Sequence, residues 1–277
     1  MKYLKSISML LLLLPIEAMA QFAWYGANGK AQVVTGLGNG SNTEGIWFSY
    51  SDKYDGGESQ IHFPFSENDI PDDTHVNKYG GVYGEVFLDL ANAHYINKPY
   101  VGLGFPVVGE TEDDPNINEE GNAFQWGGIA IGYKSDLMID VLLGLSNENE
   151  RSMGYANPEY YLNASDEETF VRIPWNSFKQ PDWGVGLKLS GPEAAKVLVS
   201  LRFVLYGNTR DEPYHFLITK IGSYDMPEMP ESPSGCISPA VAIDTNDDWY
   251  TISGVQLRNQ PTVRGVYIHN GQKVVVK

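Results

Sequence analysis

Cysteine is almost missing from this chain: Cys236 is the only one in 277 residues. No internal disulfide can form, so the fold must be held by burial alone. A thiol nucleophile is disfavoured for the same reason, because Cys236 stands in a Pro- and Ser-rich stretch with no fixed base beside it. Positive charge is also scarce. Nineteen Lys and Arg stand against thirty-five Asp and Glu, giving a net charge of −16. Nucleic acid is gripped by clustered Lys and Arg, so it is excluded as a partner, and an anionic lipid surface would repel the chain. Long apolar runs are lacking as well. The longest, over 9–14, follows Lys2 and Lys5 and precedes Ala18, Met19 and Ala20. That order of basic, apolar and small residues is a secretory signal peptide, cleaved after Ala20. A bilayer span needs about 20 apolar residues, so the mature chain, starting near Gln21, is expected to have no transmembrane segment and to be secreted or held at the cell surface.

Catalytic constellations are thin. His62, His75, His94, His215 and His269 are scattered, and no G-x-S-x-G elbow occurs. Glu85 and Asp89 share one face of an expected strand, as a pair of glycosidase carboxylates would. An outward, solvated pair is the simpler reading.

What the chain does have is glycine and aromatic side chains: 29 Gly, 17 Tyr, 11 Phe and 6 Trp. Short apolar runs split by Gly, Asn, Asp and Pro predict an all-β fold. Strands are expected over 32–35, 46–50, 84–90, 100–106, 128–133, 138–143, 168–173, 200–206 and 215–221. Many alternate apolar with polar or small residues, as a two-layer sandwich requires. A single short helical turn is expected at Gly191 and Pro192. Long acidic loops separate the strands over 66–73, 110–120 and 147–157.

Composition shifts near residue 226. The segment 226–240 is a Pro/Ser/Glu-rich linker, and 241–277 is again β, with Asn270 and Gly271 marking a hairpin turn. The expected organisation is a signal peptide over 1–20, a β-sandwich over 21–225, the linker, and a small C-terminal β-domain. No cofactor is demanded. The acidic loops leave room for a structural Ca²⁺, and Asp244, Asn246 and Asp248 alternate as in a cation loop, but the glycine and final glutamate of an EF-hand are missing.

The aromatics bear on function. A sugar ring has a flat C–H face and polar edges, so its receptor needs displayed Tyr or Trp beside hydrogen-bonding side chains. The run V-R-I-P-W-N-S-F-K-Q-P-D-W-G over 171–184 offers both kinds. Parity along the strand sends Ile173 and Trp175 inward, and Phe178, in the same apolar cluster, is expected to join them. Trp183, by contrast, follows Pro181 and Asp182 in a polar loop and is expected on display.

Three stretches resemble the carbohydrate-binding modules with a galactose-binding-like jelly roll, most nearly family 11. They are W-F-S-Y-S over 47–51 with Gly56 and Gly57, the I-P-W-N-S-F segment of 173–178, and L-R-F with Y-G-N over 201–208 followed by 216–222. The likeness spans roughly 30–225. It implies a β-sandwich that binds β-glucan or cellulose-like polysaccharide without catalysis. By the same resemblance the carbohydrate-binding residues would be Tyr50, Tyr79, Tyr83, Tyr160, Gln180, Asp182, Trp183 and Arg202. Arg202 stands where the family has a histidine, and the family's closing D-N-I reads Thr219, Lys220 and Ile221. The tail resembles a second family, the C-terminal sorting domain of type IX secretion, through Tyr250 to Gly254, Gly265 to Ile268, Gly271 and Lys273 to Lys277. That likeness implies the secretion machinery as a partner. The alternatives are a surface structural or adhesion protein that binds another protein, and a jelly-roll glycoside hydrolase.

Overall fold

The computed structural model describes residues 22–94, 96–229, 249–251, 256–257, 261–262, 265–269 and 272–276. The expected signal peptide, Cys236, nearly all of the linker and the acidic run at Asp244 to Asp248 lie outside the described residues.

Alternation sets the architecture. In β5 (Tyr100–Pro106), β7 (Ile139–Gly144) and β10 (Ser200–Tyr206), every second residue is Val, Leu, Ile or Phe. An extended chain sends successive side chains to opposite faces. Val101, Leu103, Phe105, Ile139, Val141, Leu143, Leu201, Phe203 and Leu205 accordingly turn inward and are fully buried. With β2 (Phe48–Ser51) and β8 (Glu159–Leu162) these strands make sheet one, antiparallel in the order β2-β5-β10-β7-β8. Sheet two runs β3 (Gln60–His62), β4 (Val82–Phe87), β11 (Tyr214–Ser223), β6 (Gly128–Ser135) and β9 (Ser165–Pro174), with β1 (Ala23–Tyr25) also paired to β11. Val82, Val86, Ile129, Ile131, Ile173, Phe216 and Ile218 from sheet two join the inward residues of sheet one in a single buried cluster. The molecule is an all-β sandwich with its core between the sheets.

Trp47 fastens the entering chain to that core. Its ring meets Phe105 at 5.1 Å and Phe203 at 6.2 Å, while Nε1 donates to the Ala31 carbonyl at 2.8 Å. The expected strand over 32–35 is an extended segment outside any sheet. Only Val33 makes a strand-like bond, to the Gly45 carbonyl, and Glu44 takes the N–H groups of Thr35 and Gly36 that a ladder would have used.

Helices are short. The one at Gly191–Ala194 (α3) falls where Pro192 predicted it, closed by a capping box between Ser190 and Glu193. Two others were not expected: α1 (Asp73–Tyr79), just after the expected loop 66–73, and α2 (Asn147–Ser152), inside the expected loop 147–157. In α1, Asp72 accepts the His75 N–H at 2.9 Å and Gly80 ends the helix at φ 69°. That is a complete start and stop signal within nine residues. No helix among the described residues is long and apolar enough to cross a membrane.

The chain divides into two compact units between Pro230 and Glu231. The first stays packed slightly past its expected end, since Met226 is buried against Tyr25 and Ala130. The second contains an antiparallel sheet, β13 (Gln256–Leu257), β12 (Trp249–Thr251), β14 (Gly265–His269) and β15 (Gln272–Val276) in that order. His269 pairs with Gln272, the register of a two-residue hairpin turn.

Candidate functional site: the outer face of sheet one

The residues that do not face the core of sheet one form a grid. Strand register places Tyr50, Gly102, Val204, Asp140 and Tyr161 in one row across the five strands. The next row reads Phe48, Gly104, Arg202, Leu142 and Glu159. On the other side of the first row, Tyr100 stands opposite Tyr206, their rings 5.6 Å apart.

Glycine shapes the floor. A Cβ on Gly102 would run into the Tyr50 ring, and one on Gly104 would lie 3.0 Å from Phe48 Cζ. A Cβ on Gly144 would lie 2.7 Å from Arg202 Nε. Two aromatic rings and a guanidinium thus lie low over backbone that has no side chain of its own. Arg202 is held there by a bridge from Nη2 to Glu150 Oε1 at 2.9 Å. Glu150 is itself buried and accepts from the Leu145 N–H and from Asn157 Nδ2.

Beside this floor opens a furrow of about 1140 Å³, lined by Tyr100, Asp140, Tyr161, Tyr206, Trp183 and Lys98 among others. Trp183 is 64% exposed. It rides on a turn closed by the Gly184 N–H to the Pro181 carbonyl at 3.0 Å. Gln180 pins the same loop, donating to the Leu187 carbonyl at 3.1 Å and accepting the Leu189 N–H at 3.3 Å.

The furrow is electrostatically unusual at its acidic end. Burial, helped by the neighbouring Glu159, pushes the Asp140 carboxyl up to about 7, with Lys98 opposing. Burial also raises Glu159, which is partly offset by the hydroxyl that Tyr161 donates to it. The phenols of Tyr206 and Tyr100 are held well above their usual value, first by burial and then by Asp140 for Tyr206 and by the Asp55 hydrogen bond for Tyr100. Tyr50 is pushed up to about 12 by burial, against the opposing charge of Arg202. These tyrosines therefore remain neutral at any physiological pH, with the Tyr100 and Tyr161 hydroxyls already donating to Asp55 and Glu159, and Asp140 changes charge near neutrality. Among the described residues no group of three or more His, Cys, Asp or Glu could hold a metal ion.

No protein-family model matches the sequence. No curated protein matches it either. The solved structures that it is similar to include carbohydrate-binding modules. One is the family 11 module of the cellulosomal cellulase Lic26A-Cel5E of Clostridium thermocellum, at 15% identity and TM-score 0.37, covering 64% of this chain and 86% of that one. A second is the family 11 module from Clostridium thermocellum in complex with a β-1,3-1,4-mixed-linked tetrasaccharide, at 15% identity and TM-score 0.35, covering 64% and 87%. A family 30 module follows at 10% identity and TM-score 0.36, covering 68% and 86%.

The eight residues expected to bind carbohydrate do not share one surface. Tyr50 and Arg202 lie on the outer face of sheet one, and Trp183 borders the furrow with exposed Asp182 next to it in the chain. Gln180 is occupied in holding the loop. Tyr160 points the other way: it pairs with Val141 in the ladder and packs on Phe178 at 6.1 Å, so its ring belongs to the core. Tyr79 and Tyr83 belong to α1 and to the outer face of sheet two. Trp175 is buried as parity predicts, and Phe178 joins it in the core as its apolar cluster predicts. Asp89 lies beyond the end of β4, where it accepts the Ala91 N–H at 2.9 Å, so it does not share a strand face with Glu85.

Among the furrow residues not singled out from the sequence are Tyr100, Asp140, Tyr161 and Tyr206. The signal was there in the alternation. Leu201, Phe203 and Leu205 point inward, which leaves Arg202 and Tyr206 on one outward face. Between Tyr160 and Tyr161, only the strand register decides which ring is shown.

Proposed function

We propose that the protein is a secreted, non-catalytic carbohydrate-binding protein that lays a polysaccharide chain in the furrow on the outer face of sheet one. One observation carries this reading: Tyr100, Tyr206, Tyr161 and Trp183 line a single open furrow together with Asp140. Aromatic faces take the C–H faces of pyranose rings, while Asp140, Lys98 and the Tyr206 hydroxyl on the furrow wall supply acceptors and donors to the hydroxyls. Each ring contributes about 1 kcal/mol beyond area burial, which fits affinities of micromolar order. Sequence resemblance to family 11 puts β-glucan and cellulose-like chains first among the glycans. The tail, by its own resemblance, would direct the protein through type IX secretion to the cell surface, where many copies would add avidity.

The test is affinity electrophoresis of the full chain in gels containing β-glucan, cellulose derivative, xylan or mannan. Retardation on at least one glycan, weakened by Trp183→Ala, is expected. A wild-type protein that migrates freely in all of them ends the reading. Release of reducing ends during long incubation would instead favour a hydrolase working through Asp140 and Glu159.

A further inference from the structure

Away from the furrow, the outer face of sheet two carries its own set of rings. Register places Tyr83 on β4 opposite Leu217 on β11, and Leu217 opposite Lys134 on β6. One step along, Glu85 stands opposite His215. Asp136 Oδ2 accepts the His215 N–H at 2.8 Å and lies 3.0 Å from Nδ1, so the imidazole has one orientation. The rings of Tyr83 and His215 are nearly parallel, 16° apart in plane with centroids separated by 6.0 Å. Tyr79 from α1 stacks behind Tyr83 at 4.4 Å. Phe65 extends the strip at 6.1 Å from Tyr79, and its ring is 62% exposed although its backbone sits at φ 66°. A bulky residue is strained in that region of backbone space, and burial of the ring does not offset it. Between Tyr83 and His215 a hollow of about 330 Å³ opens, bounded also by Lys134, Asp136, Phe216 and Leu217.

We propose that this face is a second saccharide platform, separate from the furrow, on which one or two pyranose units of a neutral glycan rest against Tyr83 and His215. The ring arrangement supplies an apolar floor. Lys134 and Asp136 on its border carry opposite charges. A polyol, which both donates and accepts hydrogen bonds, satisfies both groups, whereas an anionic or cationic ligand would meet a like charge. Because the furrow and the platform lie on opposite outer faces of the sandwich, one molecule holds two chains and cross-links them.

The experiment compares retardation of wild type, the furrow variant Trp183→Ala/Tyr206→Ala, the platform variants Tyr83→Ala and His215→Ala, and the combinations, in gels of β-glucan, xylan and mannan. Near-UV circular dichroism checks that each variant is folded, and His215→Ala, at a partly exposed ring, serves if Tyr83→Ala is not. The furrow variant is expected to keep measurable retention on at least one glycan, and a platform substitution added to it to reduce that retention at least threefold. Wild type, but neither class of variant, should also make soluble polysaccharide turbid. Complete loss of retention in the furrow variant overturns the platform, as does retention unchanged by both platform substitutions. If instead the furrow variant behaves as wild type while Tyr83→Ala abolishes binding, the platform stands and the furrow reading falls.

Discussion

Trp183 illustrates how far a single side chain can be understood from its position. It follows Pro181 in a loop whose polar groups are already satisfied by Gln180, so nothing draws the indole inward. Trp183→Ala should therefore leave the melting temperature unchanged and weaken glycan binding about fivefold, the equivalent of about 1 kcal/mol. Isothermal titration with a cello- or mixed-linkage oligosaccharide measures it. Asp140 gives a sharper test because its carboxyl ionises near 7. The ionised form is the stronger acceptor for a sugar hydroxyl, so affinity should rise between pH 6 and 8 in the wild type and stay flat in Asp140→Asn. The stability effect has the opposite sign. A carboxyl raised above its unfolded value binds its proton more tightly in the fold, so it favours the folded state as pH falls from 7 toward 4 and costs stability above 7. Asp140→Asn should accordingly gain stability at pH 8.

At the scale of single elements, glycine and histidine decide local outcomes. Gly102 sits in β5 where any Cβ would displace the Tyr50 ring. Gly102→Ala should cost about 1–3 kcal/mol, as overpacking does, and shift the Tyr50 environment in near-UV circular dichroism. His75 in α1 is buried, with Nδ1 2.6 Å from the Pro64 carbonyl and Nε2 accepting the Tyr83 N–H at 3.1 Å. Burial lowers its pKa below the usual histidine value. The unfolded chain thus takes up the proton first, and this contribution to stability is present above about 6.5 and lost as pH falls below it. Thermal denaturation of His75→Gln should show a smaller loss between pH 7 and 5 than the wild type. The same elements show what could be read in advance. Strands β5 and β10 of sheet one were readable because Val101, Leu103 and Phe105 alternate with glycine, and Leu201, Phe203 and Leu205 recur at every second position. Strand β8, with only Tyr160 and Leu162 turned inward, was not expected as a strand. Helix α1 was not, although Asp72 and Gly80 mark its ends, because only seven residues lie between them and its tertiary partners come from distant segments. The segment 32–35 looks like a strand by composition, but Glu44 occupies the amide groups that pairing would need.

For the whole molecule, the sandwich follows from patterns visible along the chain, whereas the location of the site does not. Parity assigns a residue to an inner or outer face within its own strand. It cannot say which outer face of which sheet a tyrosine will occupy, and so Tyr50 and Tyr83, similar in sequence context, stand on opposite sides. The order of strands, set by pairings such as β5 with β10 across about a hundred residues, decides that. A chain ending at Pro230 should retain the wild-type pattern of polysaccharide retardation, since the first compact unit contains both sheets and the furrow. Loss of retention in that truncated chain, with its fold intact by circular dichroism, would give the tail a part in recognition.

The two ends of the sandwich are tied together. The Ser223 N–H bonds the Phe22 carbonyl at 3.0 Å, and the Tyr25 hydroxyl reaches the Pro227 carbonyl at 2.7 Å. Chain enters and leaves at one spot, so this unit is a cassette: it can be spliced into an exposed turn of a host protein, or its termini joined and new ones cut elsewhere, with little distortion of either partner.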